Sequence, residues 1–244
     1  MHRKTLSKLL RQGLQIVVTG GLLLGWRARA EVLDRNYSDA DFFGGAFLVG
    51  QASGFIFAHG TKFTVAGNGF FDLTRLTIFA QNVDGSADAN HYEVSIVADE
   101  YNRHNGTHQP SDTPVWSGSP SGIGSIEMNY SMNLSGVVEG GQDYWILFSP
   151  IAEDSGYYTW SFPGSAFGSI QDPGMVAFRW SLTGVPSGDW AAGGNTYRPS
   201  FIVEGIAVPE PETLALLLIG AATAAARLRL AARACVTPAT NRCS

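Results

Sequence analysis

Ser125-Ile126-Glu127-Met128-Asn129-Tyr130-Ser131-Met132-Asn133-Leu134 is the cleanest alternation in the 244-residue chain. Ile126, Met128, Tyr130, Met132 and Leu134 are apolar, and every residue between them is polar. Side chains alternate across a strand with a period of two, so the stretch reads as a β-strand with one face on a core and one in water. Its neighbours read the same way. Tyr92-Glu93-Val94-Ser95-Ile96-Val97-Ala98-Asp99 alternates and is expected to bury Tyr92, Val94, Ile96 and Ala98. Tyr144-Trp145-Ile146-Leu147-Phe148 is apolar throughout and reads as a central strand.

Residues 71–80 place Phe71, Leu73, Arg75, Thr77 and Phe79 on one face and Leu76, Ile78 and Ala80 on the other. That pattern predicts a strand covered on both faces over part of its length. Further strands are expected over 46–50, 55–58, 62–65, 115–118, 157–162, 176–181 and 200–204. His59-Gly60-Thr61 reads as a break, residues 100–113 as a polar loop, and Gly67-Asn68-Gly69 and Asp154-Ser155-Gly156 as turns. Trp145, Trp160 and Trp180 lie within apolar strands and are expected in the core. No stretch between residues 31 and 206 sustains helical periodicity over three turns. The segment is therefore all-β, and its short strands and Gly-rich turns predict a two-sheet antiparallel sandwich of jelly-roll type.

Charge divides the chain more sharply than its total of −5 suggests. Residues 1–30 carry six Lys or Arg and no acid, whereas residues 31–206 carry six basic residues against nineteen acidic ones, a formal charge of −13. Such a surface stays soluble and repels nucleic acid and other polyanions. Both cysteines, Cys235 and Cys243, fall beyond this segment, which must therefore fold without a disulfide.

The two ends carry the remaining signals. A basic start (His2, Arg3, Lys4, Lys8, Arg11), an apolar core over 14–26 and the small residues Ala28 and Ala30 read as a signal peptide over 1–30, cleaved before Glu31. Near the other end stands Val208-Pro209-Glu210-Pro211-Glu212-Thr213. The prolines hold the backbone extended and Thr213 can cap a helix, with the two glutamates at its positive N-terminus. An uncharged run, Leu214-Ala215-Leu216-Leu217-Leu218-Ile219-Gly220-Ala221-Ala222-Thr223-Ala224-Ala225-Ala226, then leads to Arg227, Arg229 and Arg233. Its thirteen residues fall short of the ~20 that a membrane span needs, and counting on through residue 232 embeds two arginines. An ordinary C-terminal helix after a proline linker is the plainer alternative.

Pro-Glu-Pro, an apolar helix and a basic end together resemble the PEP-CTERM sorting signal. The resemblance implies a Gram-negative source, export, and removal of the tail by a membrane-embedded exosortase after signal peptidase has acted at the other end. It assigns residues 207–233 to the sorting signal and transmembrane helix, leaves 234–244 as a further tail that the family pattern lacks, and makes 31–206 the cargo. The order of strands, a Val-Trp-Ser strand and a Gly-rich turn into Tyr-Trp-Ile-Leu-Phe is similar, over roughly 45–205, to bacterial surface domains called choice-of-anchor, such as type R. That resemblance implies no particular activity. Together the two imply a non-enzymatic cell-surface or matrix protein linked to exopolysaccharide and biofilm.

The residues themselves offer three other chemistries. Asn82-x-Asp84-Gly85-x-x-Asp88 resembles the first half of an oxygen-rich calcium loop but lacks the bidentate glutamate, so it also reads as a plain Asp-Gly turn. Trp116, Trp190 and Tyr197 lie in short or loop-rich segments, where an exposed ring can stack on a sugar or simply anchor a loop; this is the carbohydrate-binding alternative. A secreted hydrolase would need two facing carboxylates. The pairs Asp99-Glu100 and Glu153-Asp154 are adjacent in sequence, and neighbours on a strand point to opposite faces. No G-x-S-x-G, H-E-x-x-H or P-loop pattern is present, and His104 and His108 sit in a Gly- and Pro-flanked loop that suits solvation better than zinc.

Overall fold

A computed structural model describes residues 29–36, 43–52, 55–103, 106–152, 156–163, 176–182, 184–186, 189–193, 198–209, 218–227 and 229. They form an all-β domain of thirteen strands: β1 (Glu31–Arg35), β2 (Phe43–Ala52), β3 (Phe55–Thr64), β4 (Phe70–Asn82), β5 (Tyr92–Asn102), β6 (Thr107–Gly118), β7 (Met128–Asn133), β8 (Val137–Glu139), β9 (Asp143–Pro150), β10 (Tyr157–Pro163), β11 (Val176–Ser181), β12 (Ala191–Gly193) and β13 (Phe201–Val208). All pairings are antiparallel, in the continuous order β1-β13-β4-β10-β2-β3-β9-β5-β6. β11 joins the free edge of β3 and carries β12, while β7 and β8 line the edge of β4 away from β13.

The sheet curls until distant strands share one interior. Phe63 of β3 lies 6.0 Å from Phe201 of β13, and Phe148 of β9 lies 6.2 Å from Trp160 of β10, ring centroid to ring centroid. Val94, Ile96, Ile146, Leu76, Ile78 and Val203 complete this enclosed core. With no disulfide in the domain, this burial, about 25 cal/mol per Å² of apolar surface, is the main favourable term in folding.

The two-faced apolar pattern of β4 has a different cause from the one its sequence suggests. Leu73 pairs with Gly205 and Arg75 with Glu204, so Thr74 is an extra residue in β4. This β-bulge switches the inward set from Phe71 and Leu73 to Leu76, Ile78 and Ala80. One face is covered throughout, supplied by different residues on either side of the bulge, and the opposite face is covered as well at Thr77, which bonds Ser131 at 2.8 Å. Both neighbours absorb the irregularity: Leu134 N–H donates to the Thr74 carbonyl in the gap between β7 and β8, and Leu73 N–H donates to Gly136. Beside the bulge, Arg75 Nη2 donates to Glu204 Oε1 at 2.8 Å, and that pairing holds Glu204 below the usual carboxylate range.

Several other elements depart from the sequence pattern. β3 runs unbroken through His59-Gly60-Thr61 because Gly60 is needed for close packing, not for a turn. A Cβ there would lie 2.6 Å from Leu147 Cδ2. The loop expected over 100–113 is mostly strand: β6 begins at Thr107 and pairs with β5 despite Pro110 and Pro114, which an edge strand tolerates. The stretch 125–134 is a strand only from Met128, and Ile126 is 69% exposed. β7 lies at the margin of the sheet, so Tyr130 and Met132 are half-buried against the core and Met128 is exposed. β1, β8 and β12 are short strands that alternation did not mark.

Candidate functional site

β9 has two apolar faces because it is covered twice. Tyr144, Ile146 and Phe148 point into the enclosed core, while Trp145 and Leu147 point outward. On that outer side they join Ala58 of β3, Val97 of β5, Ala177 of β11 and Trp190 in a second, smaller cluster. Beside this cluster lies a cleft of about 230 Å³. It is lined by Ser95, Val97 and Leu147, by Ser111, Asp112 and Pro114 of β6, and by Arg179 and Trp190, with the Arg179–Asp112 pair joining β11 to β6 at 3.5 Å. Glu93 and Ser149 also line it, and Val185 and Pro186 make part of its rim.

A second bulge shapes the part of the lining that comes from β6. Val97 pairs with Pro114 and Asp99 with Pro110, so Ser111, Asp112 and Thr113 stand opposite Ala98 alone. Extra residues force a strand to bend and re-aim its side chains. Here the bulge carries Ser111 and Asp112 into the lining.

Arg179 is the most constrained group in the cleft. Its guanidinium carbon lies 4.3 Å from the centroid of the Trp190 ring, and its Nη2 lies 3.5 Å from Asp112 Oδ1. Its Nε is buried with no hydrogen-bond partner among the described residues. Burial lowers its pKa, with Asp112 and Asp189 acting in the opposite direction, and a guanidinium remains charged under these conditions. The Asp112 side chain is 96% exposed, so the ion pair is long and open to water.

The aromatic residues fall differently from the sequence reading. Trp190 is only 4% exposed and presents one ring face to Arg179, so a sugar would have to displace that guanidinium to stack there. Trp116 is half-buried against the core and folds over Gly118. Tyr197 lies outside the described residues. Trp145 and Trp160 are fully buried, as expected, but Trp180 is 52% exposed. Burial fades along β11, from Val176 through Phe178 to Trp180, which meets the edge of Phe55 at 5.6 Å. Alternation marks the face of a strand but not how far its neighbours extend over it.

The carboxylates are committed elsewhere. Asp99 accepts from Trp145 Nε1 at 2.7 Å through one oxygen and pairs with His108 through the other. Glu100 is exposed, while Glu153, Asp154 and His104 lie outside the described residues. Asn82 uses both ends of its amide to close its own loop: Nδ2 donates to the Ala87 carbonyl at 2.9 Å, and Oδ1 accepts from Ala87 N–H at 3.0 Å. Asp88 caps the 3-10 turn Ala89–His91 by accepting from Asn90 N–H, and the Asp84 side chain is outside the described set. Among the described residues no group of three His, Cys, Asp or Glu side chains is placed to hold a metal.

At the ends, Arg29 and Ala30 are exposed coil immediately before β1, and Ala28 lies outside the described residues. Val208 is the last residue of β13 and Pro209 is exposed; Glu210, Pro211 and Thr213 lie outside the described set. Residues 218–227 are helical and exposed nearly throughout, with Leu218 at 72%, and Arg227 and Arg229 stand at the far end. Among the described residues no helix is long and apolar enough to cross a membrane.

No protein-family model matches the chain, and no curated protein matches it.

Proposed function

We propose that the chain is an exported, non-enzymatic surface or matrix protein, delivered by its C-terminal tail and associated with exopolysaccharide. The observation that carries this reading is the pairing of the first and last strands. β1 and β13 are antiparallel neighbours with Glu31 opposite Gly205, so residues 30 and 209 leave the domain at the same end. An N-terminal export signal and a C-terminal tail that leave the domain at one end are compatible with both addressing the same membrane. The exposed apolar side chains Leu218 and Ile219 add to it, because an apolar helix face left uncovered by its own domain suits a lipid environment.

In this reading residues 1–30 are a signal peptide and 31–206 the cargo, folded as a two-layer jelly-roll sandwich. The layers are β6-β5-β9-β3-β11-β12 and β8/β7-β4-β13-β1, bridged by β2 and β10. Residues 207–233 are the sorting signal, with Val208, Pro209, Glu210, Pro211, Thr213, Arg227 and Arg229 recognised by an exosortase. The domain resembles the choice-of-anchor class and needs no cofactor. Signal peptidase cuts after Ala30. With Pro209→Ala and Glu210→Ala combined, immunoblots of the fractionated native host should show unprocessed precursor held in the membrane. Maturation at the ordinary rate would sink the sorting assignment.

Carbohydrate binding is a second reading, favoured by the mixed polar and apolar lining of the outer cleft. Hydrolysis has less support. Of the adjacent carboxylate pairs, Asp99 is held by Trp145 Nε1 and His108 and Glu100 is exposed, so the two do not face each other across a cleft.

A further inference from the structure

We infer that the outer cleft is a subsite for one neutral sugar unit of a glycan chain. The proposal rests on the carbohydrate-binding reading above and names the ligand class and the residues that would hold it.

Three properties of the lining select this class. The first is composition. Hydroxyl groups from Ser95 and Ser111, carboxylates from Glu93 and Asp112, and the Arg179 guanidinium line the cleft together with the apolar Val97 and Leu147. A sugar ring presents hydroxyls that both donate and accept at its rim, and C–H groups on its faces. Carboxylates can take the donors, the guanidinium can serve the acceptors, and the apolar side chains can receive the C–H face.

The second property is construction. Asp112 and Ser111 reach the cleft only because β6 bulges against Ala98. Beside them, Arg179 is held over the Trp190 ring at 4.3 Å, and that ring is buried among Ala58, Leu147 and Ala177. A long flexible side chain is thereby fixed before any ligand arrives, which reduces the entropy lost on binding. The guanidinium retains donor capacity, since only its Nη2 approaches Asp112, at 3.5 Å, and the planar group carries five N–H donors.

The third property is charge. Two carboxylates and one cation line the cleft, within a domain carrying −13. An acidic sugar would meet net repulsion nearby and at long range. A cationic one would be attracted by the same net charge but would have to sit against the Arg179 guanidinium. A neutral unit incurs neither penalty.

Calorimetry on the full-length protein in a zwitterionic, sugar-free detergent tests the inference. The probes are cellotetraose, mannotetraose, xylotetraose and, as the acidic control, tetragalacturonate. At least one neutral probe should bind saturably and more tightly than tetragalacturonate. Asp112→Asn should weaken that binding by about fivefold or more, the loss expected of a weakened charged hydrogen bond. Because Asp112 is almost fully exposed, its melting temperature should stay put. Arg179→Lys should weaken binding as well, because a point charge cannot reproduce the stacked fork.

Failure of all three neutral probes overturns the proposal, as does tighter binding of tetragalacturonate or unchanged affinity in Asp112→Asn. If Trp180→Ala removes binding while Asp112→Asn does not, the sugar sits on the opposite face and the cleft assignment is wrong. Tail processing in the native host is a separate readout: binding with normal variant effects but no processing would remove the sorting assignment and leave the cleft standing.

Discussion

The enclosed core and the outer cluster use the same strands for different ends. Along β9, Tyr144, Ile146 and Phe148 enter an interior shared by strands from across the curled sheet. Trp145 and Leu147, one residue out of phase, enter a second cluster with Ala58, Val97, Ala177 and Trp190, bordered by charges and hydroxyls. The first region is sealed by aromatic contacts between distant strands, as at Phe63 and Phe201. The second is roofed on one side by Trp190, next to the three-residue strand β12. The interior carries the stability and the exterior the proposed recognition, although both arise from one uninterrupted apolar run.

The sharpest way to break that contrast is to remove a ring from the interior. Trp160 is fully buried, and its Nε1 donates to the Ser200 carbonyl at 2.9 Å. Trp160→Ala should cost about 3–5 kcal/mol in urea unfolding, from lost burial, a cavity and an unpaired carbonyl. A cost below ~1 kcal/mol would mean that this interior does not hold the fold.

His59 probes the place where the interior opens. It is half-buried between Phe47 at 4.9 Å and Phe57 at 6.2 Å, and burial pushes its pKa down to about 4. The unfolded chain protonates near 6.5, so between these values it binds more protons than the folded chain. Stability should therefore fall as pH drops from 6.5 towards 4, by up to about 3 kcal/mol from this group. His59→Phe should flatten the decline over that window. An unchanged slope would place the imidazole in water.

Trp190→Ala probes the outer cluster. Its expected cost is about 2 kcal/mol, less than an interior tryptophan because Trp190 borders a cleft that already opens to water. Equal losses for Trp160→Ala and Trp190→Ala would erase the distinction between the regions. The smallest effect expected is that of calcium. Asn82 already spends its amide on Ala87, so melting curves in excess calcium and in chelator should coincide. A calcium-dependent rise would return a cation to the loop.

How far these regions were legible in the sequence follows from how local each signal is. Tyr92, Val94 and Ile96 declared the core face of β5 because alternation is a property of the strand itself. The bulge at Thr74 was hidden, since two short alternating sets joined by one extra residue look the same as a strand covered on both faces. The first part of β6, before the strand expected at 115–118, was hidden by Pro110 and Pro114, which break strands in general but sit here at an edge with its own bulge. Trp190 took the packed alternative of the two its sequence left open, and Trp180 left its expected core place, for a related reason. Exposure depends on neighbours distant in sequence: Arg179 and the outer cluster bury Trp190, while β11 runs past its cover at Trp180. The cleft was illegible, because it joins Glu93, Asp112 and Arg179 from three separate strands.

The position of β13 has a temporal consequence. It is the last strand made, yet it lies between β4 and β1, and β1 is the first made. At the usual pace of about 5–20 residues per second, synthesis of the intervening chain takes on the order of ten seconds or more. Throughout that interval β1 waits without its ladder partner, and β4 exposes an edge that no earlier strand fills over residues 70–78. Such edges invite pairing with other chains. The nascent protein should therefore depend on a holding chaperone until Val208 appears, and its folding should finish in one late step rather than strand by strand.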